Sequence, residues 1–207
     1  MGIKIKPSVP RWLVTKLILF LAILVWPLLA YGQQKLETGQ MSVPEELQVS
    51  IFLKILTYDR SLETKVKDTI RIGVLYFPEN ARSKKNKEAI IESLELNKDK
   101  TINGIPFNFM EIELGSEKRW EEVTKEKKIN VLYVTSDGSD IIKRISPITQ
   151  AKKILTITGT VDYVNQGISV GLTVKEEKPQ VVINLPSAKA EGSDFSSNLL
   201  RLCKVIN

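Results

Sequence analysis

Carboxylates are the groups in this sequence best able to do acid–base or ion-binding chemistry. Asp137, Asp140 and Asp162 follow predicted strands, where α/β folds place their sites. As a cluster they would offer acid/base or cation chemistry. As local features, Asp137-Gly138 is turn chemistry and Asp140 a helix cap, and this second reading weighs more. The segment is too sparse in oxygen ligands for a calcium loop. The chain contains no histidine and one cysteine, Cys203. It therefore holds no Ser-His-Asp or Cys-His pair, no His-ligated zinc, no imidazole titrating near neutral pH and no internal disulfide. S-x-x-K, G-x-G-x-x-G and G-x-x-x-x-G-K-[ST] patterns are missing. The first predicted strand runs into Phe77-Pro78-Glu79-Asn80, with no glycine nest for phosphate. No enzyme activity, cofactor or metal is expected.

Lysines gather at 84–87, 125–128 and 152–153, interleaved with Glu88, Glu121, Glu122 and Glu126 and without an aromatic stacking platform. They read as solvated helix faces. The chain's +6 charge belongs largely to its first 32 residues, which carry Lys4, Lys6, Arg11 and Lys16 and no acid. The other 175 residues balance 26 basic against 24 acidic side chains. A phosphate-binding surface needs its basic excess in the folded part, so nucleic acid is not an expected partner.

That basic start precedes an apolar run, Leu17 to Ala30, and a small-residue site at Ala30-Tyr31-Gly32. Residues 1–32 read as a secretory signal cleaved near Gly32-Gln33, and the protein as periplasmic, touching the membrane only through that signal. The rival reading is a retained anchor. Fourteen apolar residues fall short of the roughly 20 needed to span a bilayer, and Lys16 and Pro27 weigh against it. No cysteine follows the run to take a lipid.

The elements that must position these groups begin after a short mobile segment, 33–41. Ser42-Val43-Pro44-Glu45 reads as a capping box opening a helix with an apolar stripe of Leu47, Ile51, Ile55 and Leu62, widened by Phe52 and Leu56. Strands are predicted at Ile70–Phe77, Phe107–Leu114 (a half-exposed edge), Ile129–Thr135 and Ile154–Thr158. Helices are expected over 80–98, around Trp120 and Val123, and after Asp140, the last limited or kinked by Pro147. This β-α-β rhythm predicts one α/β domain over 42–207, with a mostly parallel sheet and helices on both faces. Ile168–Val174 and Gln180–Leu185 predict a C-terminal β-hairpin, and Gly192-Ser193-Asp194 a cap for a closing helix, Phe195–Ile206. Cys203 would then be a small buried hydrophobe on that helix. Trp120 is either the apolar contact of a charged helix or an exposed partner anchor.

Two stretches resemble a known family. Phe52-Leu53-Lys54-Ile55-Leu56-Thr57-Tyr58-Asp59-Arg60, together with Ile183-Asn184-Leu185-Pro186-Ser187-Ala188-Lys189-Ala190-Glu191-Gly192 and Phe195-Ser196-Ser197-Asn198-Leu199-Leu200-Arg201-Leu202, is similar to the YfiR-like family of small bacterial periplasmic proteins. The resemblance implies a non-enzymatic repressor that holds an inner-membrane signalling protein inactive. The partner implied is a diguanylate cyclase, with a histidine kinase as another class, and homodimerisation is usual in the family. The cysteines that form disulfides in the type member are missing, so its redox control is not implied here. Tyr58, Asp59 and Arg60 match the end of the opening helix, either as a local ion pair or as a partner or ligand surface. Asn184, Gly192, Ser196 and Ser197 match the ending, with structural roles in loops and helix starts. The alternative function is a periplasmic small-ligand receptor or scavenger, using the crevice expected at the strand C-termini.

Overall fold

A computed structural model describes residues 43–114, 122–123, 126–136 and 139–207. The predicted signal, segment 33–41, Ser42, Trp120 and Asp137 lie outside the described residues. Helix α1 (Glu45–Leu56) is followed by a single turn, α2 (Leu62–Lys65), and strand β1 (Ile70–Tyr76). Next come α3 (Ala81–Leu96), β2 (Thr101–Ile102), β3 (Ile105–Glu113) and β4 (Val131–Val134). Then follow α4 (Ser139–Lys152), β5 (Leu155–Thr158), α5 (Val161–Asn165), β6 (Val170–Lys175) and β7 (Lys178–Asn184). Two short helices, α6 (Leu185–Ala190) and α7 (Ser197–Leu202), lead to β8 (Lys204–Ile206).

The eight strands form one sheet in the order β2-β3-β1-β4-β5-β6-β7-β8. β3, β1, β4, β5 and β6 are mutually parallel neighbours, whereas β6–β7 and β2–β3 are antiparallel. The sequence-based expectation of one largely parallel α/β domain holds. Because β1 lies between β3 and β4, the chain reverses its direction of travel there. Such a switch opens a crevice at the strand C-termini.

Each strand divides its side chains between two cores, as a period of two requires. Ile70, Ile72 and Val74 of β1, with Val131 and Tyr133 of β4, pack under Phe52, Leu53 and Leu56 of α1 and Ile90 and Leu94 of α3. Leu75, Leu132 and Val134 face the other way, onto Ile141, Ile142 and Ile145 of α4.

Several boundaries differ from the sequence reading. The first helix has Pro44 at its cap, with no side-chain cap bond, and the expected Ser42 cap lies outside the described residues. It stops at Leu56 and not near Leu62, because the chain peels away at Asp59 to bond elsewhere. Of the expected stripe, Ile55, Leu62, Phe52 and Leu56 are buried, whereas Leu47 is exposed and Val49 and Leu53 join the buried face. In α3 the expected outward Lys87 lies over the Tyr76 ring and pairs with Glu111 on β3 at 3.1 Å. Asp140 falls inside the first turn of α4 instead of capping it. Pro147 does not end that helix, which continues to Lys152. The largest correction is the ending. The closing helix is only Ser197–Leu202, and residues 204–206 add a strand parallel to β7. Cys203 is thus an extended, half-buried residue between helix and strand, its thiol pushed up to about 11 by burial.

Candidate functional site

At the C-terminal ends of β4 and β5 lies a cleft of about 890 Å³. One wall is the start of α3, with Arg82, Lys85, Asn86 and Ala89. That start is fixed by the Asn80 side chain, which accepts from Ser83 N–H at 2.9 Å. The Ser83 hydroxyl in turn accepts from Phe77 N–H and meets the Thr135 hydroxyl at 2.6 Å, tying α3 to the ends of β1 and β4. The opposite wall is Gly159 to Tyr163, from the β5 end into α5, with Asp162 in its first turn. Glu45 and Gln48 of α1 and Leu172 and Thr173 of β6 complete it.

A hydrogen-bonded chain of side chains forms the floor. The buried Tyr133 hydroxyl donates to Gln48 Oε1 at 2.8 Å, while the Gln48 amide donates to the Val43 carbonyl at 2.6 Å. Asn86 Nδ2 donates to Glu45 Oε1 at 3.0 Å. Burial raises the Tyr133 pKa far above its ordinary value, so the phenol stays a neutral donor. The Gln48 amide rests directly on Gly159, where an added Cβ would collide with it. Glycine at 159 therefore lets α1 close over the sheet end.

A second surface joins the two family-like stretches. Asp59 is buried; its Oδ1 accepts from Ser61 N–H (3.0 Å), the Ser61 hydroxyl (2.7 Å) and Asp194 N–H (2.9 Å). It is not the expected ion partner of Arg60. Arg60 instead reaches across 134 residues to Asp194, at 2.7 Å and in solvent. Ser196 N–H donates to the Tyr58 carbonyl at 3.0 Å. Tyr58 is half-buried, with the Lys54 ammonium 5.5 Å from its ring centre. Tyr58, Asp59 and Arg60 are thus brought together with residues 194–196, with the Asp59 side chain spent on structure, the Tyr58 ring packed against the core and Arg60 in solvent.

The matched residues of the ending are structural. Asn184 caps α6 by accepting from Ser187 N–H at 3.1 Å and ties it back by donating to the Val164 carbonyl at 2.9 Å. Gly192 has φ +77°, which glycine adopts without strain. Ser196 caps α7 through Leu199 N–H, and Ser197 is its first residue. Of the three aspartates, Asp162 lies in the cleft wall. Among the described residues no group of three or more His, Cys, Asp or Glu is placed to hold a metal.

One residue escaped the sequence reading. Glu191, 1% exposed, lies against the N-terminal ends of β5 and β6. Its carboxylate accepts from the hydroxyls of Thr149 (2.8 Å), Thr156 (3.0 Å) and Ser169 (2.5 Å), and from Thr156 N–H (2.8 Å). Burial raises its pKa, opposed by those four donors. Lys65 and Lys153 reach the adjoining carbonyls of Glu191 and Ala190 at 3.4 and 2.9 Å. The readable signal was Thr156, a polar residue inside the apolar run Ile154–Ile157.

A protein-family model described as YfiR/HmsC-like matches residues 45–204. No curated protein is significantly similar in sequence. Among solved structures, the ABC domain in complex with L-Trp from Streptococcus pneumoniae is 15% identical over 79% of this chain and 60% of its own, with TM-score 0.55. A conserved domain protein from Vibrio cholerae is 17% identical over 81% and 61%, with TM-score 0.53. The ligand-free, open structure of CD0873, a substrate-binding protein with adhesive properties from Clostridium difficile, is 18% identical over 67% and 54%, with TM-score 0.51. The chain therefore spans a little over half the length of these structures, and the likeness is one of fold. No helix among the described residues is long and apolar enough to cross a membrane.

Proposed function

The chain belongs to the YfiR/HmsC-like family, and from that premise we propose that it is a periplasmic, non-enzymatic regulator that represses an inner-membrane signalling protein by binding its sensor region. A diguanylate cyclase is the first choice of partner, which makes cyclic di-GMP and biofilm formation the outputs; a histidine kinase is the other. The observation carrying the reading is the extent of the family match, from the first turn of α1 to the first residue of β8. Repression requires preferential binding to the partner's inactive state. The surface best suited to that contact is the Arg60–Asp194 pair with Tyr58, because two distant parts of the chain build it and its charged groups remain in solvent. Deleting the gene is expected to raise cyclic di-GMP, with a membrane cyclase recovered by crosslinked pull-down. Unchanged cyclic di-GMP and no membrane signalling protein in the crosslinked fraction would sink the proposal.

The cleft favours a second reading, a small-ligand receptor. Its volume lies within the ~300–1,000 Å³ usual for small-molecule sites, and it sits at strand C-termini, where open α/β sheets bind ligands. In a thermal-shift screen, a ligand at a hundred times its Kd stabilises the folded chain by about 2.7 kcal/mol. Flat melting curves across nucleotides, amino acids, sugars and short peptides would dispose of this reading.

A further inference from the structure

We propose, resting on the receptor reading of the cleft, that it takes a short zwitterionic peptide of about three or four residues. The first argument is charge. Among the described residues, the cleft is lined by two cations, Arg82 and Lys85, and two anions, Glu45 and Asp162. These do not lie at random. Arg82 and Lys85 are three apart on α3 and share one wall, whereas Asp162 is in the first turn of α5 on the opposite wall. Opposed charges on the described walls disfavour a simple anion such as phosphate or a dicarboxylate, which would bring excess negative charge to Glu45 and Asp162. It complements a ligand with an ammonium at one end and a carboxylate at the other.

Size is the second argument. A cleft of about 890 Å³ is several times larger than a free amino acid needs. A peptide residue occupies on the order of 130 Å³, and at the packing density of protein contacts three or four of them fill the space with some water left. The third argument is the rigidity of the floor: Gln48 and Asn86 spend their amides on Val43, Tyr133 and Glu45, so the floor is held in place before a ligand arrives. In the bound state the ligand carboxylate meets Lys85 on the α3 wall, and its ammonium meets Asp162 on the α5 wall.

Calorimetric titration of the folded chain with alanine, trialanine and tetra-alanine at neutral pH tests this. Trialanine or tetra-alanine should bind, with free alanine at least tenfold weaker. Acetylating the N-terminus or amidating the C-terminus should each cost about tenfold or more, as expected for loss of a charge-assisted bond. Asp162→Asn should weaken the free peptide but not the acetylated one, and Lys85→Met the free peptide but not the amidated one. Equal binding of blocked and free peptides, or of alanine and tetra-alanine, overturns the proposal. Silence towards the peptides with saturable binding of a sugar or nucleotide that Asp162→Asn alters removes the peptide class and keeps the receptor reading. Silence towards all probes removes both.

Discussion

The two ends of strand β5 solve opposite problems with similar residue types. At its C-terminal end, Gly159 and Thr160 face a cleft whose charges are spread over separate elements, α1, α3 and α5. At its N-terminal end, Thr156 helps surround one carboxylate, Glu191, with four donor bonds and almost no solvent. The donors at Glu191 come from α4, β5 and the entry to β6, so one acid from the C-terminal segment pins three elements. A fully satisfied buried polar group specifies a single arrangement. Charges such as Lys85 and Asp162, set around an open volume, leave room for a partner molecule. One end is therefore committed to the fold, and the other is available.

Removing the buried acid separates the two ends most sharply. Glu191→Ala strands the Thr149 and Ser169 hydroxyls and the Thr156 amide and leaves a cavity, and should cost about 3 kcal/mol or more in urea unfolding. Glu191→Gln keeps the shape and should cost less, and its pH response is the more telling. The folded-state pKa of Glu191 is raised, so its contribution is fully favourable below the unfolded value near ~4.3 and is lost as pH rises through the folded value. Wild-type stability should carry that downward slope with rising pH, and Glu191→Gln should flatten it. An identical pH profile in the two proteins would show that the carboxyl is not strained by burial.

The next effect belongs to the cleft end. Gly159→Ala places a methyl group in the Gln48 amide and breaks the Tyr133–Gln48 bond, for an expected loss of about 2 kcal/mol. Tyr133→Phe, which leaves Gln48 Oε1 without its donor but adds no clash, should cost about 1 kcal/mol. If Gly159→Ala is no worse than Tyr133→Phe, α1 is not seated on Gly159 and the cleft floor is looser than described. Asn184→Ala, which removes the α6 cap, should cost about 1 kcal/mol by the same measurement and leave ligand binding at the cleft unchanged.

The sheet was legible because it is written locally. Runs such as Ile70–Tyr76 and Val131–Val134 are continuous and β-branched, and the turn and cap residues between them act within a few positions. Asn184 and Ser196 were readable for the same reason, since each caps a helix that starts beside it. The ending was misread because FSSNLLRLCKVIN has helical spacing, yet residues 204–206 gain more by pairing with β7, a partner about 20 residues away. Glu191 was invisible for a stronger version of that reason. Its donors lie 22 to 42 residues distant, and an acid before a glycine after a helix looks like surface. Asp59 and Arg60 adjoin in sequence and looked like an ion pair, but the fold buries one and turns the other out. The cleft draws on five elements, and of its charged lining the sequence offered only Asp162 as a site candidate, with Glu45 read as part of a cap and Lys85 as a solvated helix face.

The smallest effect on stability should have the largest consequence for binding. Arg60 and Asp194 meet in solvent, where ion pairs hold little folding energy because water and salt screen them. Arg60→Glu should therefore leave the melting temperature unchanged, since Asp59 continues to hold Asp194 N–H and Ser61. In crosslinked pull-down, however, it should abolish capture of the membrane partner and raise cyclic di-GMP as gene deletion does. Restoring the pair in reverse, Arg60→Glu with Asp194→Arg, separates two explanations. Rescue would mean that the pair matters only for local geometry. Continued loss would mean that the partner reads the arginine itself. Full capture by the single Arg60→Glu variant would take this face out of the contact and turn attention to the cleft end.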